Sequence, residues 1–182
     1  AFAVSARGER VHVVEVVDGQ VVTKHAVDVL PSVRGCLQAD PKRDILKLTV
    51  VNRYTEAAPA VAFVRRFGLK RGALASSVAH DSHNIVAVGT TDAALARAVN
   101  LIVEHRGGLA AVSDDLQEVL PLPVAGLLTD AGGGEVAARY ARLDRLARSL
   151  GSTLRAPFMT LSFLALLVIP DLKLSDRGLF DG

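Results

Sequence analysis

Apolar and polar positions fall into short β-type runs in the first half of the chain and into helical spacings later. Val11 to Val17 is rich in β-branched residues, then come Asp18 and Gly19, then Val21, Val22 and Thr23. Asp-Gly between two such runs predicts a β-hairpin, because the tight turn needs positive φ at its central residues. Pro31 to Arg43 carries the breakers Pro31, Gly35, Asp40 and Pro41 and reads as a loop. Ile45 to Val51 alternates Ile45, Lys47 and Thr49 against Leu46, Leu48 and Val50. This predicts a strand with one polar face, at a sheet edge or half-covered. Asn52 to Pro59 is a connection, and Ala60 to Val64 is a strand that exits through Arg65 and Arg66. Ala73 to Ala79 and Ile85 to Val88 are two more apolar runs, joined by a polar tip.

The period then changes. After Thr91 and Asp92, apolar residues recur at Leu95, Val99, Ile102 and Val103, which predicts a helix. Thr91 or Asp92 caps its start, and Gly107 or Gly108 ends it in the left-handed conformation. Leu109 to Val112 is a short strand, Ser113 to Glu118 is polar, and Pro121 and Pro123 keep Val119 to Val124 extended. Val136, Tyr140, Leu143, Leu146 and Leu150 form the stripe of a second helix, stopped by Gly151. Pro157 to Ile169 is apolar, and periodicity leaves short helix and buried strand equally open. The tail PDLKLSDRGLFDG reads as irregular. Strands first, then a mixture, predict an α+β (mixed α/β) domain with a largely antiparallel or mixed sheet and at least two covering helices.

The chain has 182 residues, enough for one domain with a full core. Its 50% hydrophobic content excludes a disordered chain, and its net charge of +2, with interspersed signs, exerts little pull on nucleic acid or anionic lipid. Cys36 is the single cysteine, which fits a reducing, cytoplasmic compartment. No secretory type of leader opens the chain, and Leu161 to Ile169 is too short to span a bilayer. The abrupt start AFAVSARGERVHVVEVV suggests a piece of a longer polypeptide.

Chemistry concentrates in the tip between the two apolar runs. His80, Asp81, Ser82, His83 and Asn84 are five consecutive side chains that donate or accept protons or hydrogen bonds. Two imidazoles and one carboxylate make an incomplete metal set; His12, His25 and His105 read as isolated and Cys36 as alone, so a self-sufficient metal centre is disfavoured. Neighbouring His, Asp and Ser also suggest a triad, but contiguous residues rarely reach triad geometry. A polar turn satisfying itself is the plain alternative. The small residues Ala75, Ser76, Ser77 and Ala79 beside the tip favour a loop that faces a ligand or a second domain. AGGGE, Ala131 to Glu135, lacks the Lys and Ser/Thr of a phosphate loop and reads as a surface loop. Arg139, Arg142, Arg145 and Arg148 read as a solvated helix face paired with Glu135 and Asp144, with no nucleic-acid partner expected.

The segments GLKRGALASSVAHDSHNIVAVGT, GGLAAV, LPLPVAGLLTD and PFMTLSFLALLVIPDLKLSDRGLFDG together resemble the C-terminal domain of the bacterial and archaeal adenine deaminases of the amidohydrolase superfamily. The resemblance extends from about Val11 to the end and implies that residues 1–182 form that domain. It also implies an enzyme that hydrolyses adenine to hypoxanthine and ammonia in purine salvage, built from a metal-dependent (β/α)8 barrel, a small β domain and this one. The barrel's His-x-His metal motif is absent from these residues. Manganese or iron is therefore expected in the barrel and no cofactor here. No catalytic residue is expected in this chain, which alone should be inactive and bind no purine. The partners implied are adenine, the barrel of the same enzyme and further copies in a homo-oligomer; no membrane is implied. His80, Asp81, Ser82, His83 and Asn84 are then candidates for substrate binding or for a lid over the barrel mouth. The alternative is a purely structural or oligomerisation module, with Phe158 to Ile169 as its interface or simply as core.

Overall fold

The computed structural model describes residues 1–6, 8 and 10–182. In chain order its strands are β1 (Val4–Ser5), β2 (Arg10–Val16), β3 (Thr23–Val29), β4 (Ser32–Val33), β5 (Cys36–Leu37), β6 (Ile45–Val51), β7 (Ala60–Arg65), β8 (Ala73–Ser76) and β9 (Ile85–Gly89). Helix α1 (Asp92–Glu104) follows, then β10 (Gly108–Val112), β11 (Gln117–Pro121), α2 (Gly133–Ser149), α3 (Pro157–Phe163), β12 (Leu172–Ser175) and β13 (Gly178–Asp181). Eight strands form one sheet in the order β11-β10-β8-β9-β6-β7-β2-β3. Every neighbouring pair is antiparallel except β2 and β7. The expected α+β class, with a mainly antiparallel sheet and covering helices, is the observed one.

The sheet is covered on both faces because its strands are apolar on both. On one face Ala73, Ala75, Ala87 and Ala110 present methyl groups, and Leu95, Ala98 and Ile102 of α1 pack on them together with Phe2. On the other face Leu46, Leu48, Leu74, Val86 and Val88 meet Leu143 and Ala147 of α2, Phe158 and Leu161 of α3, and Leu172 and Leu174 of β12. Fully burying each such Leu or Phe contributes about 1.5–3 kcal/mol, which is what holds the layers together.

Several elements differ from the sequence reading. β6 lies mid-sheet, and its polar face is buried. Lys47 is only 1% exposed because its ammonium donates to Asp92 Oδ1 at 2.6 Å and to the Phe2 carbonyl at 3.1 Å. Thr49, fully buried, donates to the Ala60 carbonyl. Polar alternation here marks internal pairing instead of solvent. The β2–β3 hairpin forms, but its register pairs Val16 with Thr23, so Asp18 and Gly19 belong to a longer loop and Val21 and Val22 precede the strand. Asp18 and Gly19 are nevertheless the central pair of a turn closed by the Gln20 N–H on the Val17 carbonyl at 3.0 Å, with Gly19 at φ 72°, and Arg155 braces it through its backbone N–H and guanidinium, which both donate to the Asp18 carboxylate.

The stretch Pro31 to Arg43 contains β4 and β5, which join β1 in a small sheet. Thr91 caps α1 by accepting from the Ala94 N–H at 3.1 Å. The residue that ends α1 in the left-handed region is Arg106, at φ 59°, with its N–H on the Val103 carbonyl and the Gly107 N–H on the Ile102 carbonyl. Pro157 to Ile169 resolves into α3 followed by turns. The tail is an antiparallel hairpin of β12 and β13, with Ser175 opposite Gly178.

Candidate functional site at the polar end of the sheet

Strand register brings the polar tip beside segments far away in sequence. Val51 is opposite Ile85, Ser76 opposite Val86, and Leu109 opposite Ser76. The chain therefore leaves β6 at Asn52, crosses from β8 to β9 through residues 77–84, and enters β10 at Gly108, all at one end of the sheet.

The tip is anchored at its base. Ser77 is buried; its hydroxyl accepts from the Gly108 N–H at 2.8 Å and donates to the Gly126 carbonyl at 2.5 Å. The His83 N–H closes a turn onto the Ala79 carbonyl at 2.7 Å, and the His80 N–H donates to the Ser162 carbonyl at 3.2 Å. The His80 ring packs 4.9 Å from the Phe163 ring and 6.0 Å from the His83 ring, edge to face with the latter.

The five residues read as one polar tip point to different surroundings. Asp81 and Ser82 are exposed, His80 and His83 are half-buried, and Asn84 is 3% exposed. Asn84 Oδ1 accepts from the Arg53 N–H at 3.2 Å. His83 Nδ1 is buried and has no hydrogen-bond partner among the described residues. Such an atom is costly unless something outside the chain satisfies it.

Spacing gave no sign of the neighbours that complete this end. Tyr54 donates its hydroxyl to the Ser82 carbonyl at 2.9 Å. Asn52 accepts from the Tyr54 and Thr55 N–H groups and donates to Asp176 Oδ2 at 2.8 Å, which ties in the β12–β13 turn. The sequence signal was slight: Asn52, Arg53 and Tyr54 follow β6 directly, and a polar cluster at a strand end marks a loop on a rigid scaffold. A cavity of about 300 Å³ opens beside the tip between Ser76, His80, Tyr140, Phe158 and Met159.

Other candidates lie elsewhere. His12 and His25, read as isolated, meet across β2 and β3 with Nδ1 and Nε2 2.7 Å apart, and His25 lies 3.4 Å from Asp181. Among the described residues no group of three His, Cys, Asp or Glu side chains is placed to hold a metal ion. Arg139 and Arg148 pair with Glu135 and Asp144 as helical spacing predicts, and Arg142 reaches Glu118 on β11. Gly132 starts α2 without a side-chain cap, and Glu135 sits in its first turn. Among the described residues no helix is long and apolar enough to cross a membrane.

A family profile described as the adenine deaminase C-terminal domain matches residues 20–182. The chain belongs to this family. Relatives agree with the match. It is 61% identical over 183 residues to an adenine deaminase of Salinibacter ruber, covering 100% of this chain and 33% of the relative. It is 63% identical over 147 residues to one of a Sulfurovum species, covering 80% of this chain and 28% of the relative. With one of Methanosarcina barkeri the identity is 51% over 174 residues, covering 95% and 31%. The chain thus spans about a third of the length of the curated relatives it matches. As a member of the adenine deaminase C-terminal family it carries the HDSHN segment on the one loop that joins β8 to β9.

Proposed function

We propose that residues 1–182 are the C-terminal domain of a cytoplasmic, homo-oligomeric adenine deaminase that converts adenine and water to hypoxanthine and ammonia. In this reading the His80–Asn84 loop closes over the purine site of the enzyme's barrel. The observation that carries it is the unpartnered, buried Nδ1 of His83 beside the exposed Asp81 and Ser82, on a loop held from both sides. A purine offers ring nitrogens and an amino group that match such donors and acceptors, and closure excludes water. Asn84 and His80 are placed to hold the loop's shape: one caps the Arg53 N–H, and the other rests on Phe163.

The manganese or iron implied for such an enzyme finds no ligand set among the described residues, so no chemical step is assigned to this chain. Its part is to wall the site and fix the purine.

The test is single replacement of His80, Ser82 and His83 by Ala in the complete enzyme, with kcat/KM for adenine as readout. Ser82→Ala and His83→Ala are expected to lower it by about tenfold or more, the value of one or two lost hydrogen bonds. Wild-type kinetics in all three folded variants would remove the lid reading.

A structural or assembly role is the second reading. It is favoured by exposed Leu128 (64%) and Val124 (51%) near an apolar groove along α2, and by Met159 (53%) and Val168 (75%) near α3. Most of Phe158 to Ile169 is nevertheless core: Phe158, Leu161 and Leu164 are each 2% exposed or less. Under this second reading the same three variants shift melting temperature or subunit assembly and leave adenine turnover unchanged.

A further inference from the structure

A second cavity, of about 430 Å³, opens at the same end of the sheet on the α1 side. The lid reading makes no use of it. Its floor is backbone, since Gly107 lies so close to Gly126 that a Cβ on Gly107 would fall 2.2 Å from the Gly126 Cα. Its walls are apolar, with Ile85, Ile102, Val103 and Pro123. Two arginines, Arg53 and Arg106, line it, and no Asp or Glu does. Among the described residues neither arginine forms an ion pair, although each lines an apolar cavity.

Arg53 is positioned. Its Nη2 donates to the Ala125 carbonyl at 2.7 Å, its guanidinium lies 5.4 Å from the Tyr54 ring centroid, and its N–H is held by Asn84. The guanidinium lies against the Gly126 backbone, so a Cβ added to Gly126 would meet its Nη1. Arg106 follows the C-terminus of α1, where a cation is favoured by the helix dipole. The dipole explains one basic residue at that end; it does not explain a second one arriving from the β6–β7 connection. An apolar cavity of this size with a few convergent polar groups is the usual form of a small-molecule site, and paired guanidiniums suit a planar oxyanion.

We propose that this cavity binds a small organic anion. Arg53 and Arg106 hold its carboxylate or phosphate, and its apolar body lies on Ile85, Ile102, Val103 and Pro123. The site is joined to the His80–Asn84 loop by the Arg53–Asn84 and Tyr54–Ser82 hydrogen bonds.

The test is residue-resolved arginine labelling of the full-length enzyme with phenylglyoxal, read by peptide mass spectrometry. Arg53 and Arg106 are expected to label in the free enzyme. Millimolar phenyl phosphate and benzoate should slow that labelling saturably by about tenfold, as occupancy well above Kd requires. The two probes distinguish a phosphate ligand from a carboxylate one by their relative affinity. Benzyl alcohol, which lacks the charge, and inorganic phosphate, which lacks the body, should protect far less. Arg106→Gly suits the left-handed backbone at that position and keeps the fold; in it, protection of Arg53 should be lost.

Three results overturn the proposal. One is that neither arginine labels without a ligand, which means that the rest of the polypeptide covers the cavity. Another is equal protection by inorganic phosphate or by benzyl alcohol. The last is undiminished protection of Arg53 in Arg106→Gly. Labelling is read at the arginines and not through adenine turnover, so its outcome is separate from that of the lid experiment.

Discussion

Lys173 shows how burial sets the chemistry of one side chain. It sits on β12 with no solvent exposure, and its ammonium donates to the Val21 carbonyl at 2.7 Å. Desolvation pushes its pKa down from 10.5 to about 8, and the charge of Asp171 offsets only part of this. The unfolded chain keeps the proton up to the ordinary lysine value, while the folded chain releases it near pH 8. Between those two values unfolding takes up a proton, so stability rises with pH across that window. Below pH 8 the full cost of the buried charge is present. Urea unfolding at pH 7.5 and pH 10 is expected to show the wild type gaining stability relative to Lys173→Met at the higher pH. A constant difference between the two proteins would show that the ammonium is not desolvated. Nothing in PDLKLSD announces this, because lysine at alternate positions of a strand normally reads as the solvent face.

Elements depend on where their ends can pass. Gly107 leaves α1 with φ 126° and lies directly against Gly126 and the Leu122 carbonyl. A methyl there meets backbone, which cannot swing aside. Gly107→Ala is expected to destabilise the protein by about 2–4 kcal/mol through overpacking and backbone strain. Gly134, in the first turn of α2, has nothing within 4 Å of an added Cβ. Gly134→Ala is expected to stabilise by about 0.5–1 kcal/mol, the helix-propensity difference. Thermal or urea unfolding of the two variants separates the effects, and opposite signs, with the larger change at Gly107, are the expected pattern. The helix stripes were legible in advance because a 3.6-residue period is local. The end of α1 was not, because the glycines that looked like its stop are needed one step later, where two backbones cross.

At the scale of the whole molecule, one buried lysine ties three separate segments together. Lys47 in the middle of the sheet reaches Asp92 at the start of α1 and the Phe2 carbonyl of the N-terminal segment. Asp92→Ala leaves a buried ammonium with one neutral acceptor. The expected loss is about 2 kcal/mol, below that of a fully buried pair because Asp92 keeps 42% exposure. Lys47→Met in the Asp92→Ala background should recover most of it, and a double variant no more stable than the single one would rule out the buried charge as the cause.

Fold class, both long helices, the central strands and the polar tip followed from the sequence alone, since each depends on periodicity or composition within about ten neighbouring residues. Even the HDSHN tip was visible as a polar interruption between two apolar runs. What tertiary structure decided was every relation between distant segments. It put β6 at the centre of the sheet and gave its lysine a carboxylate 45 residues away. It brought Asn52, Tyr54 and Asp176 to the tip, and it set Arg53 and Arg106 around one cavity. Local pattern records which face of a strand is polar; only the packed layers determine whether that face meets water, a partner charge or a ligand.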